Sequence, residues 1–261
     1  AVTYPAGNDK MKSTAELAGK YLSLTPQEAD KKAVPGVQLS LGLKSENPEA
    51  YLITVDKKGI RIQGASESGV FYGVQTLRKS VMEEKGDTIR LPYATVSDEP
   101  RFGYRGTMLD CARHFFPVSF VKEFIDILAL HGVNRFHWHL TDDQGWRFEV
   151  KSLPELAVKG SVRPYTVVGK NIGVDNAAGA IYDDTPETGY YTQEEMKEIV
   201  RYAEERFITI VPEIDLPGHM IAALSVYPEL GCTGGPYNVW CRWGIAQDVL
   251  CAGNPKTLDF L

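Results

Sequence analysis

Three short apolar runs each end on polar residues, and amphipathic stretches separate them. "YRGTMLD" ends at Asp110 with Arg113 close behind, "VNRFHWHL" runs into Asp142 and Asp143, and "ITIVPEID" ends at Asp215 ahead of His219. Between the first two, "VSFVKEFIDILALHG" sets Val121, Phe124, Ile125 and Leu128 at helical spacing and stops at Gly132. Before the third, Thr192 to Glu195 forms a Thr-x-x-Glu capping box ahead of Met196, Ile199, Val200, Ala203 and Phe207, again one helical face. Strand, helix, strand, helix, strand predicts parallel strands joined by right-handed crossovers. Their apolar character on both faces predicts a sheet covered on both sides. A (β/α)8 barrel and a doubly wound sheet both satisfy this pattern. The polar strand ends favour the barrel, whose βα loops converge on one rim.

The first hundred residues predict a small α+β domain. "STAELAGKYLS" carries Leu17, Tyr21 and Leu24 on one helical face, while "VQLSLGL" and "AYLITVDKKGIRIQGAS" alternate as half-buried strands do, the latter turning at "DKKG". "SGVFYGVQTLRKSVM" predicts a second amphipathic helix, and "TIRLPYATVSDEP" a strand entering an acidic, Pro-ended linker. A boundary near Asp98 to Arg101 follows, giving domains 1–100 and 101–261.

A net charge of -6, with acids spread along the chain, leaves no basic footprint for a phosphate backbone and argues against nucleic acid as a partner. No apolar stretch approaches the roughly 18 residues of a membrane span. The N-terminus lacks a charged segment followed by an apolar one, so no signal peptide is expected in the residues given. The four cysteines form no Cys-x-x-Cys pair, and a disulfide among Cys232, Cys241 and Cys251 is left open.

In "FHWHLTDDQGWR", His137 and His139 share one strand face by period two, opposite Phe136, Trp138 and Leu140. Two readings stand: both histidines are hydrogen-bonded structural residues, or His137, His139 and Asp142 bind a metal, with Asp143, Asp215 and His219 available to complete the set. An isolated Asp-Asp is usually a solvated turn. Three strand ends with the same polar habit are hard to ascribe to turns, and carboxylates beside Arg and His have their ionisation set by those partners. Trp138 is expected in the core, whereas "VWCRW" in a Pro/Gly-rich loop leaves Trp240 and Trp243 as core or ligand-stacking residues. Cys111 reads as a small buried hydrophobe rather than a nucleophile.

The stretches "YRGTMLDCARHFFPVSFVKEFIDILALHGVNRFHWHLTDDQGWRFEVKSLPEL" and "YYTQEEMKEIVRYAEERFITIVPEIDLPGH" closely resemble the family 20 glycoside hydrolases, the β-N-acetylhexosaminidases. "GVFYGVQTL" looks like the small domain that precedes their barrel. The resemblance implies exo-hydrolysis of terminal β-linked N-acetylglucosamine or N-acetylgalactosamine from glycans, with retention of configuration and without a metal or other cofactor. In that mechanism the sugar's 2-acetamido oxygen attacks the anomeric carbon. It further implies that Arg113 binds hydroxyls of the terminal sugar, that Asp142, His219 and Asp215 support the catalytic acid, and that His137 and His139 are structural. The family's catalytic pair follows the fourth barrel strand in a Gly-Gly-Asp-Glu context. The one Asp-Glu dipeptide here, Asp98-Glu99, precedes the barrel. The expectation is a barrel ending after about three βα units, without the general acid Glu and its partner Asp. A non-catalytic carbohydrate-binding fragment is the alternative that this departure raises. The family's glycan-degrading habit and the "AVTYP" start suggest a periplasmic or secreted location.

Overall fold

The computed structural model describes residues 1–29, 36–81, 91–169 and 180–261. Met82, expected at the end of the second helix, and residues 88–90, expected in the strand after it, lie outside the described residues. Two compact units are present: one of residues 1–106 with 123–135 and 201–209, the other of 107–122, 136–200 and 210–261.

The first unit is built on a six-stranded sheet. Its strands are β1 (Val2–Tyr4), β2 (Pro26–Glu28), β3 (Val37–Leu41), β4 (Tyr51–Asp56), β5 (Gly59–Gly64) and β6 (Ala94–Asp98), in the order β2-β1-β3-β5-β4-β6. Pairings are parallel from β2 through β5 and antiparallel where β4 joins β5 and β6. The "DKKG" turn is the β4–β5 connection: Asp56 pairs with Gly59, and the Asp56 carboxylate accepts the Lys58 N–H at 2.8 Å. Two helices, α1 (Asp9–Leu22) and α2 (Glu67–Val81), pack against one another, α2 also lying on β4 and β5. Gly73 permits that approach, because a Cβ there would meet Ile62 Cγ2 at 2.5 Å.

Sequence periodicity places α1 too late. Asn8 caps it, its side chain accepting the Met11 N–H at 3.0 Å, so the helix starts in a polar turn that carries no apolar period. Leu24 falls beyond its end, after Ser23 closes the helix in the left-handed conformation. Strands β1 and β2 are too short to show alternation and were not expected.

The second sheet contains β7 (Gly106–Asp110), β8 (Arg135–Asp142), β9 (Gly145–Trp146) and β10 (Thr209–Ile214), in the order β10-β8-β7 with β9 paired to β8. Arg105 O accepts the N–H groups of Asn134 and Arg135 at the start of β7 and β8, and Cys111 N donates to His139 O near their ends, so these strands run the same way. Helix α3 (Val118–Leu130) connects them. Strand β8 ends later than its apolar run suggests, because Asp142 pairs with Gly145 across a tight hairpin into β9. The Asp-Asp acids therefore belong to a β-hairpin, not to a loop that leaves the sheet.

Short helix α4 (Glu155–Val158) follows, then α5 (Gln193–Glu204), whose capping box is formed on both sides. Glu195 N donates to Thr192 Oγ1 at 3.2 Å, and Thr192 N donates to Glu195 Oε2 at 2.8 Å. Ile199 and Ala203 are fully buried as expected, but Val200 is 38% exposed. Strands β7 and β10, both at edges of the sheet, are also more open than sequence predicts: Met108, Val211 and Ile214 stand in solvent. Strand β8 buries the face of Phe136, Trp138 and Leu140, while on its other face His139 is buried and His137 is partly exposed, so the expectation of a sheet covered on both faces is met in part at β8 and fails for its two neighbours. Helices α6 (Ile221–Leu224) and α7 (Pro255–Phe260) complete the chain; α6 packs with Trp146, Leu156, Leu230 and Leu250 in a separate apolar cluster. Among the described residues no helix is long and apolar enough to cross a membrane.

Replacing Thr192 by Ala removes the hydroxyl that satisfies Glu195 N. The expected loss is about 1 kcal/mol of stability, read as a lower urea midpoint with an unchanged denaturant slope.

Candidate active site

The ends of β7, β8 and β10 carry their polar residues to one place in the second unit. Asp142, the last residue of β8, is fully buried and is shared by three cationic or cation-capable partners. Arg113 Nη2 lies 2.5 Å and His139 Nε2 3.0 Å from Asp142 Oδ2, while His219 Nδ1 lies 3.0 Å from Oδ1. Asp143 N donates to Oδ1 at 2.7 Å. A buried carboxylate needs such saturation, since desolvation of an unpaired charge costs several kcal/mol.

Arg113 is held on every nitrogen. Its Nη1 pairs with Asp110 Oδ2 at 2.9 Å, and its Nε donates to Gln144 Oε1 at 3.2 Å, yet the side chain remains 39% exposed. A planar, forked donor that is fixed in place and still partly open to solvent is suited to hydroxyl recognition. Asp110 further ties the turn by accepting the N–H groups of Ala112 and Arg113.

His139 is buried between carboxylates. Burial alone would push its imidazolium down, but hydrogen bonds to Asp142 and Glu213, with the charge of Asp110, outweigh that and hold it up to about 9. Glu213 accepts from His139 Nδ1 at 2.7 Å and also bonds His137 Nε2. Against the opposing effect of burial, these two histidines lower the Glu213 carboxyl. Asp215 is raised, first by burial and then by the charge of Glu213. Its backbone N–H is fixed by Thr141 Oγ1 at 3.1 Å.

His219 takes a left-handed backbone, φ 55, which costs a non-glycine residue energy and is found where surroundings enforce it. Asp142 and Asp143 supply that enforcement, both reaching Nδ1, the second at 3.2 Å. Nδ1 is thereby fixed as the donor, and Nε2 becomes the nitrogen available to other groups. Asp143 is itself buried, accepts the N–H groups of Ile221 and Ala246, and has its carboxyl raised, chiefly by burial.

Arg113, Asp142, Asp215 and His219 are thus brought together. The trio His137, His139 and Asp142 is not assembled as a ligand set: His139 and Asp142 bond each other, and His137 bonds Glu213 instead. Among the described residues, the groups whose donor atoms lie within 4.8 Å of one another are His139, Glu213 and Asp215, and Asp142, Asp215 and His219. Trp138 lies in the core, donating to Cys111 Sγ at 3.2 Å; Cys111 is buried and burial raises its thiol. Trp240 is half-buried and Trp243 exposed.

Sequence reasoning missed Glu213, although period two along β10 sets it on the face of Asp215. It also missed two buried arginines. Arg147 donates to the carbonyls of Cys111, Ala112, Ser161 and Gly189, and Arg163 to those of Arg113 (2.7 Å) and Gln144 (3.1 Å). Burial, with Arg163 nearby, pushes Arg147 down to about 10. Nothing in a sequence marks an arginine whose acceptors are mostly main-chain carbonyls; Arg163 adds only Thr166 Oγ1 at 2.9 Å.

Residues 102–261 match the glycosyl hydrolase family 20 catalytic domain, and residues 1–99 match domain 2 of the same family. The chain belongs to glycosyl hydrolase family 20. Among family members, it is 39% identical over 259 residues to a beta-hexosaminidase of Porphyromonas gingivalis, covering 97% of this chain and 31% of that protein. It is 47% identical over 182 residues to a beta-hexosaminidase of Vibrio furnissii, covering 69% of this chain and 28% of that one. In structure it resembles Streptomyces plicatus N-acetyl-beta-hexosaminidase in complex with Thio-NAglucal, with TM-score 0.82 at 32% identity, over 99% of this chain and 50% of that one. The chain therefore spans about a third of the length of these curated relatives and half of that solved chain. Its fold is α/β, comprising the family's domain 2 and the start of its catalytic domain.

Two outcomes are expected of the site. His139 has a folded value near 9 against an ordinary value of 6.5. Its contribution to stability is present in full below about pH 6.5 and is lost as pH rises through about 9. Thermal melts across that range are expected to fall with pH in the wild type and to flatten in His139→Gln. Arg147→Met, which strips donors from buried carbonyls, is expected to cost on the order of 3 kcal/mol in a denaturant titration.

Proposed function

We propose that the protein is an exo-β-N-acetylhexosaminidase that removes terminal β-linked N-acetylglucosamine or N-acetylgalactosamine, with retention, through attack by the substrate's own acetamido oxygen. The observation that carries this reading is the single network joining Arg113, Asp142 and His219 across three strand ends. Membership of a family whose members include named beta-hexosaminidases supports it.

In this reading the exposed edge of Arg113 donates to hydroxyls of the terminal sugar, while Asp110, Asp142 and Gln144 keep the guanidinium from following the substrate. Asp142 and Asp143 hold the His219 Nδ1 proton, so His219 Nε2 faces the catalytic acid as an acceptor, or as a donor when the ring is charged. Asp215, whose carboxyl is raised, lies within the same cluster and limits the negative charge gathered there. The general acid Glu and the Asp that orients the acetamido group are assigned to residues outside this sequence, whose one Asp-Glu dipeptide, Asp98-Glu99, is at the end of β6 in the other unit. Catalysis then needs both groups of residues. Those described here bind the sugar and set the proton inventory around the acid.

The test uses the full-length protein and a chromogenic β-N-acetylglucosaminide, with the anomer of the first product followed by NMR. The β-anomer is expected. Arg113→Ala is expected to lower kcat/KM by about 100-fold or more, and Arg113→Lys to rescue little, because a point charge cannot replace a forked donor. Kinetic constants unchanged in Arg113→Ala would remove its assigned role, and an α-anomer would remove the mechanism.

A further inference from the structure

A cavity of about 620 Å³ lies in the second unit, between the chain segment that joins α4 to α5 and the one that joins α6 to α7. That volume is within the roughly 300–1,000 Å³ of small-molecule pockets. Arg113, Asp142 and His219 do not line it, so it is separate from the polar cluster at the strand ends. One wall carries Tyr165 and Tyr182, whose rings meet edge to face with centroids 4.8 Å apart. The other carries Trp240, and Val167 N donates to Cys241 O at 2.9 Å, which ties the two walls together.

The lining selects the ligand. Its charged side chains are Arg242 and Asp248, one of each sign; the first lies over the Trp240 ring at 4.5 Å and the second accepts the Thr233 hydroxyl at 3.2 Å. A charged ligand gains no net attraction from such a pair. Asn238 and Gln247, exposed on the same lining, bring amides that donate and accept at once, as sugar hydroxyls do. Aromatic rings beside neutral amides suit a pyranose, whose C–H face packs on a ring while its hydroxyls meet the amides.

The same lining is bonded to the turn that carries the site. Trp240 N donates to Asp143 O at 2.9 Å, and Gln144, whose Oε1 holds Arg113 Nε, donates through Nε2 to Arg242 O at 3.1 Å. A ring held in the cavity therefore keeps a fixed place relative to Arg113. We propose that this cavity is a second carbohydrate site, which takes a neutral N-acetylhexosamine unit and tethers a glycan beside the place where a terminal sugar is cleaved. The choice of sugar rests on the proposed function, whereas the existence of a second site rests on the cavity alone.

The full-length protein is titrated calorimetrically with N-acetylglucosamine, which the proposed reaction releases and cannot cleave further, and melting temperatures check folding. Arg113→Ala is expected to weaken binding at the terminal-sugar site and to keep the second site. In that background Tyr182→Ala is expected to weaken the remaining binding about tenfold or more, and Asn238→Ala, at an exposed side chain, about threefold. Remaining binding that neither substitution changes, or no binding in a folded Arg113→Ala protein, would each overturn the proposal. The chromogenic assay judges the proposed function separately: loss of the remaining binding in folded Tyr182→Ala supports the second site whatever that assay gives.

Discussion

The buried carboxylate of Asp142 is the constraint on which the rest of the site depends. An anion removed from water must be repaid by partners, and this one draws Arg113, His139 and His219 onto its two oxygens. Those partners come from the turn after β7, from β8 itself and from the segment after β10. The pairing therefore does more than neutralise a charge: it brings three chain segments into register at one rim. His219, whose backbone is left-handed, meets both Asp142 and Asp143 at the same ring nitrogen.

Around this centre the charges alternate in layers. Asp142 is enclosed by Arg113 and His139, and these in turn by Asp110 and Glu213. His139 remains charged despite burial because carboxylates flank both ring nitrogens, and its raised value is the electrostatic signature of that enclosure. Beneath the layers, Arg147 and Arg163 grip main-chain carbonyls on both sides of the site. The carbonyls of Arg113 and Gln144 that Arg163 holds belong to the residues whose side chains bond each other above it. The turn that carries Arg113 is thus tied down by guanidinium groups that are themselves buried.

Much of this was legible in the residues. The capping box before α5, the "DKKG" hairpin and the alternation of β8 all reflect local physics, in which partners lie within a few positions and spacing reveals them. The polar habit of three strand ends marked Asp110, Arg113, Asp142, Asp215 and His219. What was not legible had partners far away in the chain. Glu213 owes its importance to His137 and His139, Arg163 to carbonyls of Arg113 and Gln144, and Val200 its exposure to what does not pack on it. The hairpin that holds Asp142 and Asp143 was not expected, because its short return strand β9 carries no period.

By itself the sequence determined the order and kind of elements, the residue types placed at the strand ends, and, through long ordered motifs, membership of the family. Hydrophobic period and capping chemistry act over a few residues, so they survive in one dimension. The tertiary structure alone decided which of the polar residues meet, which nitrogen of each histidine is engaged, and which charges are buried. Those outcomes are set by desolvation and distance between segments far apart in the chain, 77 residues for Asp142 and His219, and neither quantity exists until the chain has closed around them.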